Sequence, residues 1–65
     1  MNIQLKVAIL KNRLSQRDLA RQTGIHESII SMAVHGKYNL DQDQRARIAR
    51  VIGEPEELIF NETNN

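Results

Sequence analysis

A capping residue and two glycines divide the middle of the chain into two stretches that are each long enough only for a short helix. Ser15 is a residue type that caps helix N-termini, and Gly24 and Gly36 are of the type that ends helices. The apolar residues between them recur at helical spacing and are Leu19, Ala20, Ile30, Ala33 and Val34. The sequence therefore predicts one helix from the Ser15 cap to about Thr23, a tight turn at Gly24, and a helix over about residues 26–34.

Two further helices are predicted on either side of this pair. The first covers about residues 3–12 after an Asn2 cap. The second begins after Asn39 or Asp41, two alternatives that the sequence leaves open, and ends at Gly53. Leu5, Ala8, Ile9 and Asn12 recur at helical spacing in the first helix, and the buried face of the second consists of Ile48, Ala49 and Ile52.

A short fifth helix is expected near the C-terminus, with Pro55 in its first turn and Leu58, Ile59 and Phe60 on it. No segment alternates between apolar and polar residues over the length of a strand. The fold class predicted is therefore all-α, a compact bundle of five short helices. Helices this short are marginal in isolation, so each must be stabilised by packing against the others.

The size and composition of the chain limit what else it can be. Sixty-five residues without cysteine make one domain near the lower limit for a hydrophobic core, and disulfides and thiolate metal sites are excluded. We expect residues 1–60 to form this domain and residues 61–65 to be a disordered polar tail. The apolar runs are far shorter than the roughly 20 residues that span a bilayer, and no secretory segment is recognisable. A cytoplasmic protein without a membrane partner is expected.

Charge is distributed unevenly along the chain. Residues 1–40 carry six basic and two acidic side chains, a net charge of +4, whereas residues 41–65 carry three basic and six acidic ones, a net charge of −3. This asymmetry favours a nucleic-acid-binding face on the N-terminal half. The alternative interpretation is ordinary solvated charge on the outer faces of the helices.

No pattern in the sequence indicates catalysis. We find no phosphate-binding loop and no nucleophile with a base and an orienting group, so an enzyme, a cofactor and a small-molecule ligand are not expected. His26 and His35 are nine residues apart, and a helix turns through about 900° over that distance, which places them on opposite faces. No metal site is predicted.

The segment LSQRDLARQTGIHESIISMAVHGK, residues 14–37, combines the Ser15–Ala20 stretch, the Gly24 turn, the Ser28–Ser31 stretch and the Gly36-Lys37 pair. This pattern resembles the Cro and phage-repressor helix-turn-helix family, also called the XRE family. The resemblance extends over residues 5–60, and the helix after the turn is especially similar to that of the lambdoid phage Cro proteins.

The resemblance implies that the helix after the turn enters the major groove of DNA, while the preceding helix crosses the phosphate backbone. The base-contacting residues that it implies are His26, Glu27, Ser28, Ser31 and Met32. The phosphate contact that it implies is Gln16, and Arg17, Lys37 and Tyr38 are candidate phosphate-contacting neighbours. Arg17 and Arg21, four residues apart, can instead form a solvated stripe on their helix. None of the base-contacting residues is an arginine, so the strongest contact to guanine is missing, and specificity can depend on DNA shape or on a second subunit.

Several of these residues have a simpler interpretation that stays open. Glu27, which can only accept hydrogen bonds when ionised, suits the amine of cytosine, but it can also merely complement the dipole of its helix. Ser28 and Ser31 can be ordinary exposed polar residues.

Two positions also depart from the family, which often places an arginine in the first helix against a glutamate late in the recognition helix. Ile9 and Val34 stand there, which suggests that an apolar contact has replaced an ion pair.

The function expected from the resemblance is sequence-specific binding of double-stranded DNA by a small transcriptional regulator, most simply a repressor. A homodimer is expected because the family reads two half-sites, with an interface at Leu58, Ile59 and Phe60 together with the exposed part of the fourth helix. The alternative is a helix-turn-helix module used mainly for protein binding, such as part of an antitoxin or of a regulatory complex, with weak DNA affinity.

Overall fold

The computed structural model describes residues 1–60. This part of the chain folds into five α-helices and contains no strand, which confirms the all-α prediction. The helices are α1 (Ile3–Lys11), α2 (Gln16–Thr23), α3 (Glu27–Val34), α4 (Gln42–Ile52) and α5 (Glu56–Ile59). α2 packs against both α3 and α4, and α5 packs against α1 and α4.

The core between the helices is formed by the apolar faces that the sequence predicts. Leu5, Leu19, Ile30 and Ile48 have no exposed surface. The other predicted members are also buried, namely Ala8, Ile9, Ala33, Val34, Ala49 and Ile52, whereas Ala20 is half-buried at the edge of the core. Leu40, in the loop between α3 and α4, joins the same core.

Side chains that the sequence singles out fix the starts of α1 and α4. Asn2 Oδ1 accepts a hydrogen bond from the Leu5 N–H at 2.9 Å, and Asp41 Oδ1 accepts one from the Gln44 N–H at 2.8 Å. The Gln44 side chain accepts in turn from the Asp41 N–H at 3.0 Å, which completes a capping box. Asp41, and not Asn39, is therefore the cap of α4.

The C-terminal helix differs from the expectation in two ways. Pro55 occupies the position before α5 and does not lie in its first turn. Ile59 and Phe60 are buried, whereas Leu58 is 60% exposed. Successive helical residues point about 100° apart, so this apolar run cannot face one direction as a whole. Of the three residues expected at the interface, only Leu58 is accessible in a single copy of the chain, and the interface itself remains a prediction.

A second capping box begins α2 and perturbs the ionisation of Asp18. The Ser15 N–H donates to Asp18 Oδ2 at 3.0 Å, and the Asp18 N–H donates to Ser15 Oγ at 3.0 Å. The Arg21 guanidinium lies 2.9 Å from Asp18 Oδ1. The hydrogen bonds with Ser15 and, secondarily, the charge of Arg21 hold the pKa of Asp18 below its ordinary value.

Replacing Asp18 with asparagine should lower the melting temperature by a few degrees at neutral pH, and by less in acid. Because the pKa of Asp18 is lower in the folded state, the carboxylate stabilises the fold above its ordinary pKa, and this benefit is lost as the pH falls through the folded value. Thermal unfolding of both proteins over a pH series measures the effect. Asp43→Asn, outside any capping box, is the control, and a difference for Asp18→Asn that does not change with pH would contradict the prediction.

Candidate nucleic-acid interface

The turn between α2 and α3 is closed by local hydrogen bonds. Gly24 adopts φ +78°, a conformation in which glycine is tolerated best, and its N–H donates to the Ala20 carbonyl at 2.9 Å. The buried Thr23 hydroxyl donates to the Leu19 carbonyl at 2.7 Å and accepts from the Ile25 N–H at 3.2 Å. The tight turn predicted at Gly24 is confirmed. The role of Thr23 was not predicted, because nothing in the sequence distinguishes it from an ordinary last residue of a helix.

One side of α3 is fixed to the core, and the other side is accessible. Ile30, Ala33 and Val34 are buried against the remaining helices. On the accessible side lie the five residues for which the sequence predicts base contacts: His26, Glu27, Ser28 and Met32 are exposed and Ser31 is half-buried. Ile29 lies at the edge and packs partly against the core. The structure therefore brings the predicted residues together on one surface.

The predicted phosphate-contacting residues lie at two places beside this surface. Gln16 and Arg17 are the first two residues of α2, and their backbone N–H groups donate to no group within residues 1–60. Such free N–H groups at a helix N-terminus favour an anion. Lys37 and Tyr38 are exposed just after α3, and the Lys37 N–H is anchored to the Met32 carbonyl at 2.8 Å.

This combination of two helices, a glycine turn and an accessible second helix is the feature by which helix-turn-helix proteins are grouped. A statistical model of the family described as helix-turn-helix matches residues 5–59, which is most of the chain. The chain belongs to the helix-turn-helix family. The match supports the XRE type of this family, a class of DNA-binding, non-enzymatic domains. Comparisons with curated proteins and with solved structures gave no match.

In this helix-turn-helix protein, His26 is the N-cap of α3. Its Nδ1 atom accepts the Ser28 N–H at 3.1 Å and lies 2.9 Å from Ser28 Oγ. A backbone N–H can only donate, so Nδ1 is an acceptor and the neutral imidazole carries its proton on Nε2. His26 thus presents a hydrogen-bond donor to the exterior, and Ser28 presents oxygen lone pairs. The sequence did not reveal this cap, because histidine is not among the preferred N-cap residues.

His35 is a further exposed side chain of the helix-turn-helix unit, just beyond the last turn of α3. Its Nδ1 atom lies 2.8 Å from the Ser31 carbonyl oxygen, which can only accept, so Nδ1 carries a proton, and in the neutral imidazole Nε2 is then an acceptor. As neutral side chains, His26 and His35 therefore present opposite hydrogen-bonding characters at the two ends of α3.

Two further observations on the described residues of this helix-turn-helix protein concern metal ligands and membrane spans. Among residues 1–60 no three or more His, Asp or Glu side chains come together as a potential metal site. Within the same residues, every helix is too short or too polar to cross a membrane.

Proposed function

We propose that this helix-turn-helix protein binds specific sequences of double-stranded DNA as a small transcriptional repressor, with residues 1–60 acting as a single domain and α3 lying in the major groove. The observation that carries this proposal is the accessible side of α3, where His26, Glu27, Ser28, Ser31 and Met32 lie together. Their helix is held on the opposite side by buried residues, so its orientation is set before DNA binds.

The hydrogen-bonding character of these side chains determines which bases they can recognise. The Nε2–H of His26 is a donor and suits the N7 and O6 acceptors of guanine. The Glu27 carboxylate is an acceptor and suits the N4 amine of cytosine. Met32, 39% exposed, can pack against the methyl group of thymine. The Cro-like character of α3 is part of this proposal.

Phosphate contacts supply most of the sequence-independent affinity, and Arg17 is the best placed basic residue to make one. It is exposed at the start of α2 and forms no ion pair with any residue between 1 and 60. Arg21 is engaged with Asp18, and Arg47 with Asp43, each at less than 3 Å.

Replacing Arg17 with alanine should therefore weaken binding to all duplex sequences several-fold. It should also reduce the slope of log K against log salt concentration by about 1, because one fewer counterion is released. Fluorescence anisotropy with labelled duplex DNA over a salt series measures both quantities. Arg50→Ala, an exposed arginine of α4 without an ion pair among the described residues, is the matched control and should leave the slope unchanged.

The salt series with the unmodified protein also tests the proposed function itself. A steep loss of affinity with salt is expected if the protein neutralises phosphates. Weak binding that does not depend on salt would contradict the proposal and favour the alternative, a helix-turn-helix module used mainly for protein binding.

A homodimer is the second part of the proposal. Two copies related by a two-fold axis would read half-sites about one helical turn apart, which compensates for the absence of an arginine on the reading face. Selection of bound sequences from a random duplex library should enrich an inverted repeat with this spacing. A single enriched half-site would contradict the homodimer, and no enrichment would contradict sequence-specific binding.

A further inference from the structure

The outer side of α1 carries an apolar stripe that no part of the described chain covers. Ile3, Val7 and Leu10 follow the spacing i, i+4, i+7, so they lie on one face of the helix. They are 64%, 50% and 64% exposed, on the side opposite the buried residues of α1. Single exposed apolar residues are ordinary, but a contiguous set marks a contact surface.

α5 packs beside α1. Asn2 Nδ2 donates to the Ile59 carbonyl at 3.2 Å, and Lys11 Nζ lies 3.2 Å from Glu54 Oε2. The first contact joins the N-terminal end of α1 to the C-terminal end of α5. The second joins the C-terminal end of α1 to Glu54, just before α5, so the two helices run antiparallel. The exposed Leu58 belongs to this segment.

The charges on the two helices are opposite. Lys6 is exposed beside Val7, and Glu57 is exposed beside Leu58. Neither forms an ion pair with any other residue in the range 1–60. We call Ile3, Lys6, Val7, Leu10, Glu57 and Leu58 together the α1–α5 surface. It combines an apolar stripe with one available cation on α1 and one available anion on α5.

We propose that the α1–α5 surface is covered by a second copy of this chain, with α1 of each copy lying across α5 of the other. Because α1 and α5 run side by side, a two-fold axis parallel to them and between them brings the cationic helix of one copy onto the anionic helix of the other. Lys6 then faces Glu57 of the other copy, and the apolar stripe meets Leu58. The alternative two-fold arrangement, α1 on α1, would bring the two Lys6 side chains together and is disfavoured by like charge.

This inference deepens the homodimer part of the proposed function and rests on it. It places the interface on α1 and the outer side of α5, and it keeps Ile59 and Phe60 inside each subunit. The interface does not depend on DNA binding, so the proposed interface and the proposed DNA binding can be disproved separately.

Sedimentation equilibrium of the full chain without DNA, up to about 1 mM, tests the proposal. A reversible dimer is expected. Lys6→Glu and Glu57→Lys should each raise the dimer dissociation constant about tenfold, because each reversal places like charges together at both symmetric sites. The double variant should restore the dissociation constant of the unmodified protein. Val7→Ser should raise it at least tenfold without any change of charge.

Arg50→Glu, a charge reversal on the exposed side of α4, is the matched control and should leave the dimer unchanged. Circular dichroism should show that all variants remain helical. A monomer at every concentration would overturn both this inference and the proposed homodimer. The α1–α5 surface alone would be overturned by a dimer whose dissociation constant is unchanged by Val7→Ser and is not returned to that of the unmodified protein by the double variant. DNA affinity in the salt series is a separate measurement, and its loss would concern only α3 and its neighbours.

Discussion

Replacing Ile9 with arginine is expected to lower the free energy of unfolding by about 3–5 kcal/mol, because it would place an uncompensated charge in the core. Ile9 is 5% exposed, and Val34, the second position that departs from the family pattern, is 2% exposed. The total stability of a natural domain is about 5–15 kcal/mol, and a chain of this length lies near the lower end. Urea unfolding followed by circular dichroism measures the loss.

Two further variants make this experiment specific. Gln4→Arg introduces the same charge at an exposed position of α1 and should change the stability by no more than about 0.5 kcal/mol. Combining Ile9→Arg with Val34→Glu rebuilds the ion pair that the resemblance implies at these positions, and should recover part of the loss. If Ile9→Arg unfolded at the same urea concentration as the unmodified protein, the interpretation that an apolar contact has replaced an ion pair would be wrong.

The energetic reason for such a replacement is desolvation. A buried arginine and glutamate must both lose their water, and their mutual attraction often only balances that cost. Two apolar side chains in the same space avoid the cost altogether. The structure buries Ile9 and Val34 in one core and agrees with this reasoning.

The sequence predicted well those features of the fold that depend on interactions between neighbouring residues, such as helix caps and turns. Asn2, Ser15 and Asp41 cap their helices with their own side chains, an interaction within three residues that depends little on the rest of the molecule. Gly24 is also decided locally, because few other residues adopt its backbone conformation at low cost. The position of α3 relative to α2 followed from these signals and from the spacing of buried residues.

Features that depend on contacts between distant segments were not predictable in the same way. The sequence contains Leu58, Ile59 and Phe60 as one apolar run, and only packing against α1 and α4 decides that Leu58 faces outward. The exposed stripe of α1 was also missed. The sequence predicts the buried face of that helix correctly, but it does not show that the other helices leave the opposite face, with Ile3, Val7 and Leu10, uncovered. For α3, the resemblance to helix-turn-helix proteins additionally implied that the face opposite the buried residues is accessible.

Replacing Gly36 with alanine should lower the free energy of unfolding by about 2–3 kcal/mol, for two reasons that add. Gly36 adopts φ +76°, where an L residue is strained by about 1–2 kcal/mol. A Cβ atom there would lie 3.0 Å from the backbone nitrogen of Met1. The Asn2 N–H donates to the Val34 carbonyl at 2.8 Å and limits how far the neighbouring Met1 can shift, so the close contact adds about 1 kcal/mol.

Gly53→Ala separates the two contributions. Gly53 has a similar φ of +85°, but a Cβ atom there would meet nothing within 4 Å, so only the backbone strain of about 1–2 kcal/mol is expected. Urea unfolding of both variants gives the difference directly. Equal losses would mean that the N-terminus does not pack closely against Gly36. Because Lys37 follows Gly36 at the edge of the proposed DNA-binding surface, Gly36→Ala should also weaken DNA binding under conditions in which the protein is still folded, whereas Gly53→Ala should not.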